Sequence, residues 1–429
     1  MTWLYRAFSY LVIGAALPFL SLHPKLRRGA RRRLGLYRQG ERPFPASRGS
    51  GPRIWLHGAS AGDLTALLPV IVELRARIPD ATLIVSTMTS SGHAIAEERI
   101  KKHVDALTYV PWDLPGATRR AMAAIDPSLL VLEYAEMWPN LLAAARSRGA
   151  RIAVVNGRLH ERLLRRYRFF YRLFGNPLPM IDLLLMREEV EAERALDLGA
   201  PRGRVHATGN TKFDNVARPP AREVVERLRA AFSIGDEPIF VAGSTHEGEE
   251  RVVIAAYRAM REVAPRLRMI LAPRYTERGG RVASLVESEG LRVVRRSEMP
   301  ADASGADVLV LDTIGELTAA YQLARLVFVG GSFVERGGQN ILEPAGLGRP
   351  VLFGPNMMNF RDAVEVLLGR GGIQVATPAR LAEIGRELLG KPEEIAHLGE
   401  MAKAAVQKVS GASVKNAEAL VDLLRSRPA

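Results

Sequence analysis

From Arg53 onward, short runs of consecutive apolar residues alternate with longer stretches whose apolar positions recur every three or four residues. Apolar runs followed by amphipathic helices predict a parallel sheet covered by helices. The first series reads RIWLHGAS then a helix through LTALLPVIVELRARI, ATLIVSTMTSSG then HAIAEERIKKH, and LLVLEYAEMWPN then LLAAARSRG. The strand RIAVVNGR, a basic helix, a helix from Pro179 and the strand RVHATGN complete it. A second series has the same architecture: PIFVAGSTHEGEE, RMILAPRYTERGG, LRVVRRS, DVLVLDTIGELTAAY, RLVFVGGSF and RPVLFGP. Between them the proline-bearing NTKFDNVARPPA reads as a linker over 210–221. The economical assignment is two Rossmann-like, doubly wound halves facing a cleft, one over 49–209 and one over 222–429 that includes the terminal helices.

Ahead of the first strand the pattern changes. Residues 10–22 are apolar but short and interrupted by Pro18; extended back to Leu4, with Trp3, Tyr5 and Arg6 at the flank, the run approaches a membrane-spanning length. Lys25, Arg27, Arg28, Arg31, Arg32, Arg33, Arg38 and Arg42 follow at once. Basic residues after the apolar run argue for an uncleaved anchor over 1–22 and a basic juxtamembrane segment over 23–48, with the remainder cytoplasmic at the inner membrane. Of the formal net charge of +14, residues 1–42 carry +8, so the excess sits where anionic headgroups would attract it. Nucleic acid is the competing partner for so basic a chain, but neither an aromatic-interleaved platform nor zinc-finger spacing is present. A second basic stretch, RLHERLLRRYRFFYRLFG, fits either a membrane surface or an amphipathic helix with core aromatics. With no cysteine in 429 residues, disulfide and thiolate-metal chemistry are excluded.

Ligands of open α/β sheets bind at the carboxyl ends of strands, and the loops there carry the candidate chemistry. In the second half, Gly243 to Glu247 with Ser244 and Thr245, Pro273-Arg274, Thr313 to Glu316 with Gly315, and the glycine-rich turn and helix start with Gly338, Asn340 and Glu343 offer backbone donors, hydroxyls, a guanidinium and a diol-binding carboxylate. That set suits a nucleoside monophosphate or a nucleotide-linked group. In the first half, HGASAGD places Asp63 beyond a strand end, either as a general base or as a helix cap. Ser60, Thr87, Thr89, Ser90 and Ser91 suit either capping or an acceptor phosphate, His57 reads as structural, and Glu136 as a cleft acid or a satisfied buried one.

The order HGASAGD, STMTSSG, YVPWDLP, EMWPN, NGRL, GNTKFD, GSTHEGEE, DTIGEL and FVGGSF…GGQNILEPAGLGRPVLFGP…NF resembles the Kdo transferase family of lipopolysaccharide synthesis, from the N-terminus to about Asp362. The resemblance implies a GT-B glycosyltransferase that moves 3-deoxy-D-manno-octulosonic acid (Kdo) from CMP-Kdo to a lipid A precursor at the inner face of the membrane. Asp63 stands where the family has its catalytic glutamate, and Glu136 matches the second acid of a family segment whose first acid is replaced by Tyr134. Glu133 is one position out of register and is given no role. Tyr275 and Gln339 stand where histidines are common, while Arg274, Asn340 and Glu343 match. The resemblance implies inverting displacement with Asp63 as base. Lys212, Arg274 and N–H groups near Ser244 and Gly338 would stabilise the departing phosphate, without a metal or other cofactor. A 2-epimerase of the same fold and a catalytically silent lipid-binding protein are the alternatives.

Overall fold

The computed structural model describes residues 3–22, 28–37, 44–134, 136–216, 219–299 and 303–426. The chain forms two compact units, unit 1 from residues 1–215 with 411–429 and unit 2 from residues 216–410. Unit 1 holds strands β1 (Arg53–His57), β2 (Thr82–Thr87), β3 (Ala106–Tyr109), β4 (Leu129–Glu133), β5 (Arg151–Gly157), β6 (Leu183–Met186) and β7 (Val205–Ala207). They pair in the order β3-β2-β1-β4-β5-β6-β7, all parallel. Unit 2 holds β8 (Ile239–Thr245), β9 (Arg268–Pro273), β10 (Val293–Arg295), β11 (Val308–Val310), β12 (Leu326–Val329), β13 (Val351–Phe353) and β14 (Gly372–Gln374), again parallel, in the order β10-β11-β9-β8-β12-β13-β14. Strand order reverses between β1 and β4 and between β8 and β12, which opens a crevice at the carboxyl ends of those strands.

Period-two alternation divides the unit 1 sheet between two cores. Ile54, Leu56, Leu129, Val131, Ala153 and Val155 pack on one face with Leu64, Leu67, Val70, Ile71 and Leu74 of the helix Ala61–Arg77. Trp55, Leu130, Leu132, Ile152 and Val154 face the other way, with Leu141, Leu142 and Met122. In unit 2, Phe240, Ala242, Met269, Leu271 and Phe328 pack against Val253, Tyr257 and Met260 of the helix Glu249–Arg261.

Two expectations change. The segment at Pro179 is a single 3-10 turn, Leu178–Met180, followed by β6, because the four-residue run LLLM is buried throughout as a strand. The last helix, Ala412–Arg425, belongs to unit 1 rather than to the second half. It buries Ala417, Leu420 and Val421 in the core of the helix Ala61–Arg77, and Asp214 accepts from the N–H groups of Gly411 and Ser413 at its start. The N-terminal run is one helix, Trp3–Leu22, and among the described residues no helix is long and apolar enough to cross a membrane. That helix lies against unit 1: Tyr5 donates to Asp113 at 2.8 Å, Asn140 donates to Ser9 at 3.2 Å, and Tyr5 and Phe8 meet the Phe174 ring at 5.6 and 4.9 Å.

Of the basic juxtamembrane segment, Lys25, Arg27, Arg38 and Arg42 fall outside the described residues, and Arg28, Arg31 and Arg32 are exposed. Arg33 is different. It is fully buried, donates to the carbonyls of Arg28 and Met88, and stacks over Tyr109 and Trp112 at 4.6 and 5.1 Å. Gly29, at φ 76°, lets the segment close down on Tyr109, since a Cβ there would stand 2.1 Å from the ring.

Candidate functional site

In unit 1 the crevice is bounded by the ends of β1, β2, β4 and β5. Ser60 caps the helix Ala61–Arg77 in a reciprocal box: its N–H and Oγ both donate to Asp63 Oδ2 at 2.8 Å, and Asp63 N–H returns a bond to Ser60 Oγ at 3.3 Å. The two readings of Asp63 are therefore compatible. One oxygen caps the helix, and Oδ1 has no partner among the described residues.

The Thr87–Ser91 loop is tied to the same place. Met88 and Thr89 N–H groups bond Ala59 O at 3.1 and 3.2 Å, Thr87 Oγ1 reaches the same carbonyl at 3.3 Å, and Thr89 caps the next short helix through Gly92 N–H. Ser91 bonds Thr89 at 3.3 Å and is exposed, with Ser90 half-buried beside it. Ser60, Asp63, Thr87 and Thr89 thus share one corner, which Arg33 holds from below through Met88 O. His57 is structural: it is buried, bonded to Ser86, and pushed down to about 4 by burial, so it is neutral.

Beside this corner sits a carboxyl that sequence reasoning passed over. Glu133, the last residue of β4, is fully buried and accepts from Asn156 Nδ2 at 2.9 and 3.1 Å; Asn156 also joins Thr211, whose N–H donates back to Asn156 Oδ1 at 3.0 Å. Burial drives its pKa well above the ordinary carboxylate range. Asn156, Lys212 and Arg187 oppose that rise, and the charge of Asp63 adds to it. Glu136 is raised for the same first reason, against a 2.7 Å bond from Trp138 Nε1, and it also feels Asp63. Tyr134, which follows Glu133, takes φ 62°, a strained conformation for a bulky side chain. Its ring has Arg187, Arg158 and Lys212 at 5.5, 5.9 and 5.9 Å. Lys212, expected among the donor residues, is thus a member of unit 1. Asn210 and Thr211 before it are buried rather than part of a solvated linker.

In unit 2 the glycine turn after β12 does bind an anion, but the anion is the chain's own Glu249. That buried carboxylate accepts from the N–H groups of His246, Gly331, Ser332 and Phe333 at 2.7 to 3.0 Å. Gly338 N–H, expected to face a phosphate, is spent on Gly331 O at 2.8 Å, and Asn340 Oδ1 takes the Leu342 N–H at 3.2 Å. The helix start expected to face the ligand has only five residues, Leu342–Gly346.

Glu343 on it accepts from Thr318 and lies within electrostatic reach of Tyr321, a fully buried phenol bonded to Ser244. Tyr321 fits only because Gly243 has no side chain, a Cβ there meeting the phenol oxygen at 2.1 Å. Ser244 itself sits at φ 55°. Ser244, Tyr321, Glu343 and Thr318 therefore form one cluster, of which Tyr321 and Thr318 were not anticipated. Thr245 is buried with its hydroxyl unpartnered among the described residues, Pro273 ends β9, and Arg274 is exposed with its N–H on Thr245 O. Gly315 turns at φ 91°. Glu316 is fastened: Arg296 donates at 2.9 and 3.0 Å and Thr313 at 2.6 Å, lowering its pKa despite burial.

The sequence profile described as 3-deoxy-D-manno-octulosonic-acid transferase matches residues 28–215. The 3-deoxy-D-manno-octulosonic acid transferase of Haemophilus influenzae is 30% identical over 94% of this chain and 92% of its own. That of Bordetella pertussis is 33% identical over 86% and 87%. Among solved structures, the UDP-GlcNAc 2-epimerase of Neisseria meningitidis covers 87% of this chain and 99% of its own with a TM-score of 0.54, at 13% identity. At that identity the likeness is one of fold, and it places both units in the GT-B class.

Proposed function

The chain belongs to the 3-deoxy-D-manno-octulosonic acid transferase family and is a glycosyltransferase; from that premise we propose that it moves Kdo from CMP-Kdo to a lipid A precursor such as lipid IVA. Unit 2 holds the donor, with Glu343 on the ribose and Arg274 on the phosphate. Unit 1 supplies the acceptor residues Ser60, Thr87, Thr89, Ser90 and Ser91 and the base. The acceptor hydroxyl oxygen bonds to C2 of Kdo as the C2–O bond to CMP breaks, inverting C2; the electron pair leaves with CMP, and the hydroxyl proton passes to Asp63. The observation that carries this reading is the Asp63 carboxylate, fixed by Ser60 through Oδ2 and without a partner for Oδ1 among the described residues. Glu136, held by Trp138, flanks it, and Lys212 with Arg158 beside Tyr134 would receive an anionic group of the acceptor. Arg274 serves the leaving phosphate, so the reading asks for no divalent ion or cofactor.

We place the enzyme peripherally on the anionic inner membrane face. The helix Leu164–Phe174 turns Leu164, Tyr167, Tyr171 and Phe174 toward the core. It leaves Phe169, Phe170 and Leu173 exposed among Arg165, Arg166, Arg168 and Arg172, next to a first helix with Trp3, Tyr10 and Leu11 exposed. High salt should release such a protein from anionic vesicles, and retention would show a firmer anchor. The activity is tested by incubating the full chain with CMP-Kdo and a tetraacylated acceptor and weighing the product. A mass gain of one or more Kdo units, unchanged by a chelator, is expected; CMP release without a heavier lipid would reject transfer.

A further inference from the structure

One cavity of unit 2 is left over from the nucleotide assignments above. It has a volume of about 410 Å³, within the range that holds small ligands, and is lined by His246, Glu247, Tyr275, Arg278, Glu335 and Arg336, with Val334. These residues follow the ends of β8, β9 and β12, neighbouring strands on either side of the switch point. His246 is 6% exposed, and its Nε2 has no partner among the described residues; Tyr275 meets it edge-on at 5.6 Å and is itself half exposed. Burial, with Arg336, Arg274 and Arg278 beyond it, lowers the His246 pKa against the pull of Glu249. Arg278 is committed to Glu250 at 2.6 Å. Glu247, Glu335 and Arg336 have no side-chain hydrogen-bond or ion-pair partner among the described residues.

The mixture of signs narrows the occupant. A nucleotide phosphate would meet two carboxylates, Glu247 and Glu335, at close quarters, which is unfavourable in a partly enclosed site. A sugar with several hydroxyls and one carboxylate uses both signs: hydroxyls donate to carboxylates, a guanidinium pairs with the acid, and an aromatic ring covers the apolar face of the sugar. We propose that this cavity takes the acid sugar of the donor, Arg336 pairing with its carboxylate, Glu247 and Glu335 accepting from its hydroxyls, and Tyr275 with His246 forming the wall. Arg336 thereby selects an acid sugar over a neutral one. This rests on reading unit 2 as the donor half.

The test is calorimetric titration of the full chain with three probes: CMP, a phosphonate analogue of CMP-Kdo that cannot release CMP, and the same analogue with its carboxylate converted to an amide. Wild type should bind the acid analogue about tenfold more tightly than the amide, the worth of one charge-assisted hydrogen-bonded pair. Arg336→Gln should erase that preference and leave CMP affinity unchanged, which also certifies its fold, and Arg336→Lys should restore part of it. Undiminished preference for the acid in Arg336→Gln overturns the proposal. A parallel loss of CMP affinity overturns it as well, by placing the nucleotide phosphate in the cavity. Absence of CMP binding in wild type would instead remove the donor reading on which it rests.

Discussion

At the scale of single residues, Asp63 unites two roles that its local sequence leaves as alternatives. Ser60 and Asp63 stand three apart at a helix start, so the capping box is legible from spacing alone. That Oδ1 has no partner among the described residues, beside Glu133 and Glu136, is not. Asparagine at 63 keeps an oxygen for the Ser60 donors but cannot take a proton, so Asp63→Asn should fold normally, retain CMP affinity, and lose transfer by about 10²- to 10⁴-fold. Wild-type transfer by a folded variant at saturating substrates would reject Asp63 as the base. Glu133 was illegible for a physical reason. Its raised pKa depends on burial beneath Asn156 and Thr211, which lie 23 and 78 residues further along the chain and come together only once β4 and β5 pair and the 210–216 segment closes over them. Glu249 is a similar case, a residue of an acidic run whose partners, Gly331 to Phe333, are more than eighty positions away.

At the scale of elements, apolar runs and their period located most strands, because a strand covered on both faces needs uninterrupted apolar residues. The short helix Leu342–Gly346 and the turn at Pro179 were overdrawn, since local patterns say little about where a helix stops when no strong cap is present. The docking of the helix Trp3–Leu22 is a tertiary matter. Asp113 receives Tyr5 OH, Asn140 N–H and Leu141 N–H, yet burial dominates and raises it from 3.8 to about 6. Its folded pKa lies above its unfolded value, so the folded state holds the proton more tightly; this contribution is complete below about 3.8 and is lost as pH rises through about 6. Urea titrations at several pH values should therefore show wild type losing ground relative to Asp113→Asn across that window, with no further change above about pH 7. The opposite slope would mean that the charged carboxylate is the form the fold prefers.

At the scale of the whole molecule, the chain leaves unit 1 at residue 215 and returns to it at 411, so the final helix completes a unit begun four hundred residues earlier. Ala417, Leu420 and Val421 are buried against the helix that carries Asp63, and Arg77 pairs with Glu418 at 3.2 Å. Deleting 411–429 should cost unit 1 on the order of 5 kcal/mol from lost apolar burial and lower its melting temperature by roughly 10 to 20 °C. Transfer should fall while CMP binding, assigned to unit 2, persists; unchanged melting would show that the helix contributes little. What the sequence determined by itself was whatever depends on neighbours along the chain: two parallel sheets, the strand-end loops that carry the chemistry, a basic N-terminal region, and motif order specific enough to indicate the family. Tertiary structure alone decided which acid is buried with its pKa raised, that an internal carboxylate fills the glycine turn, that Lys212 lies in unit 1, and where the last helix packs. Each of those depends on the energy of burying a charge or an apolar face against residues far away in sequence, and no local pattern encodes that energy.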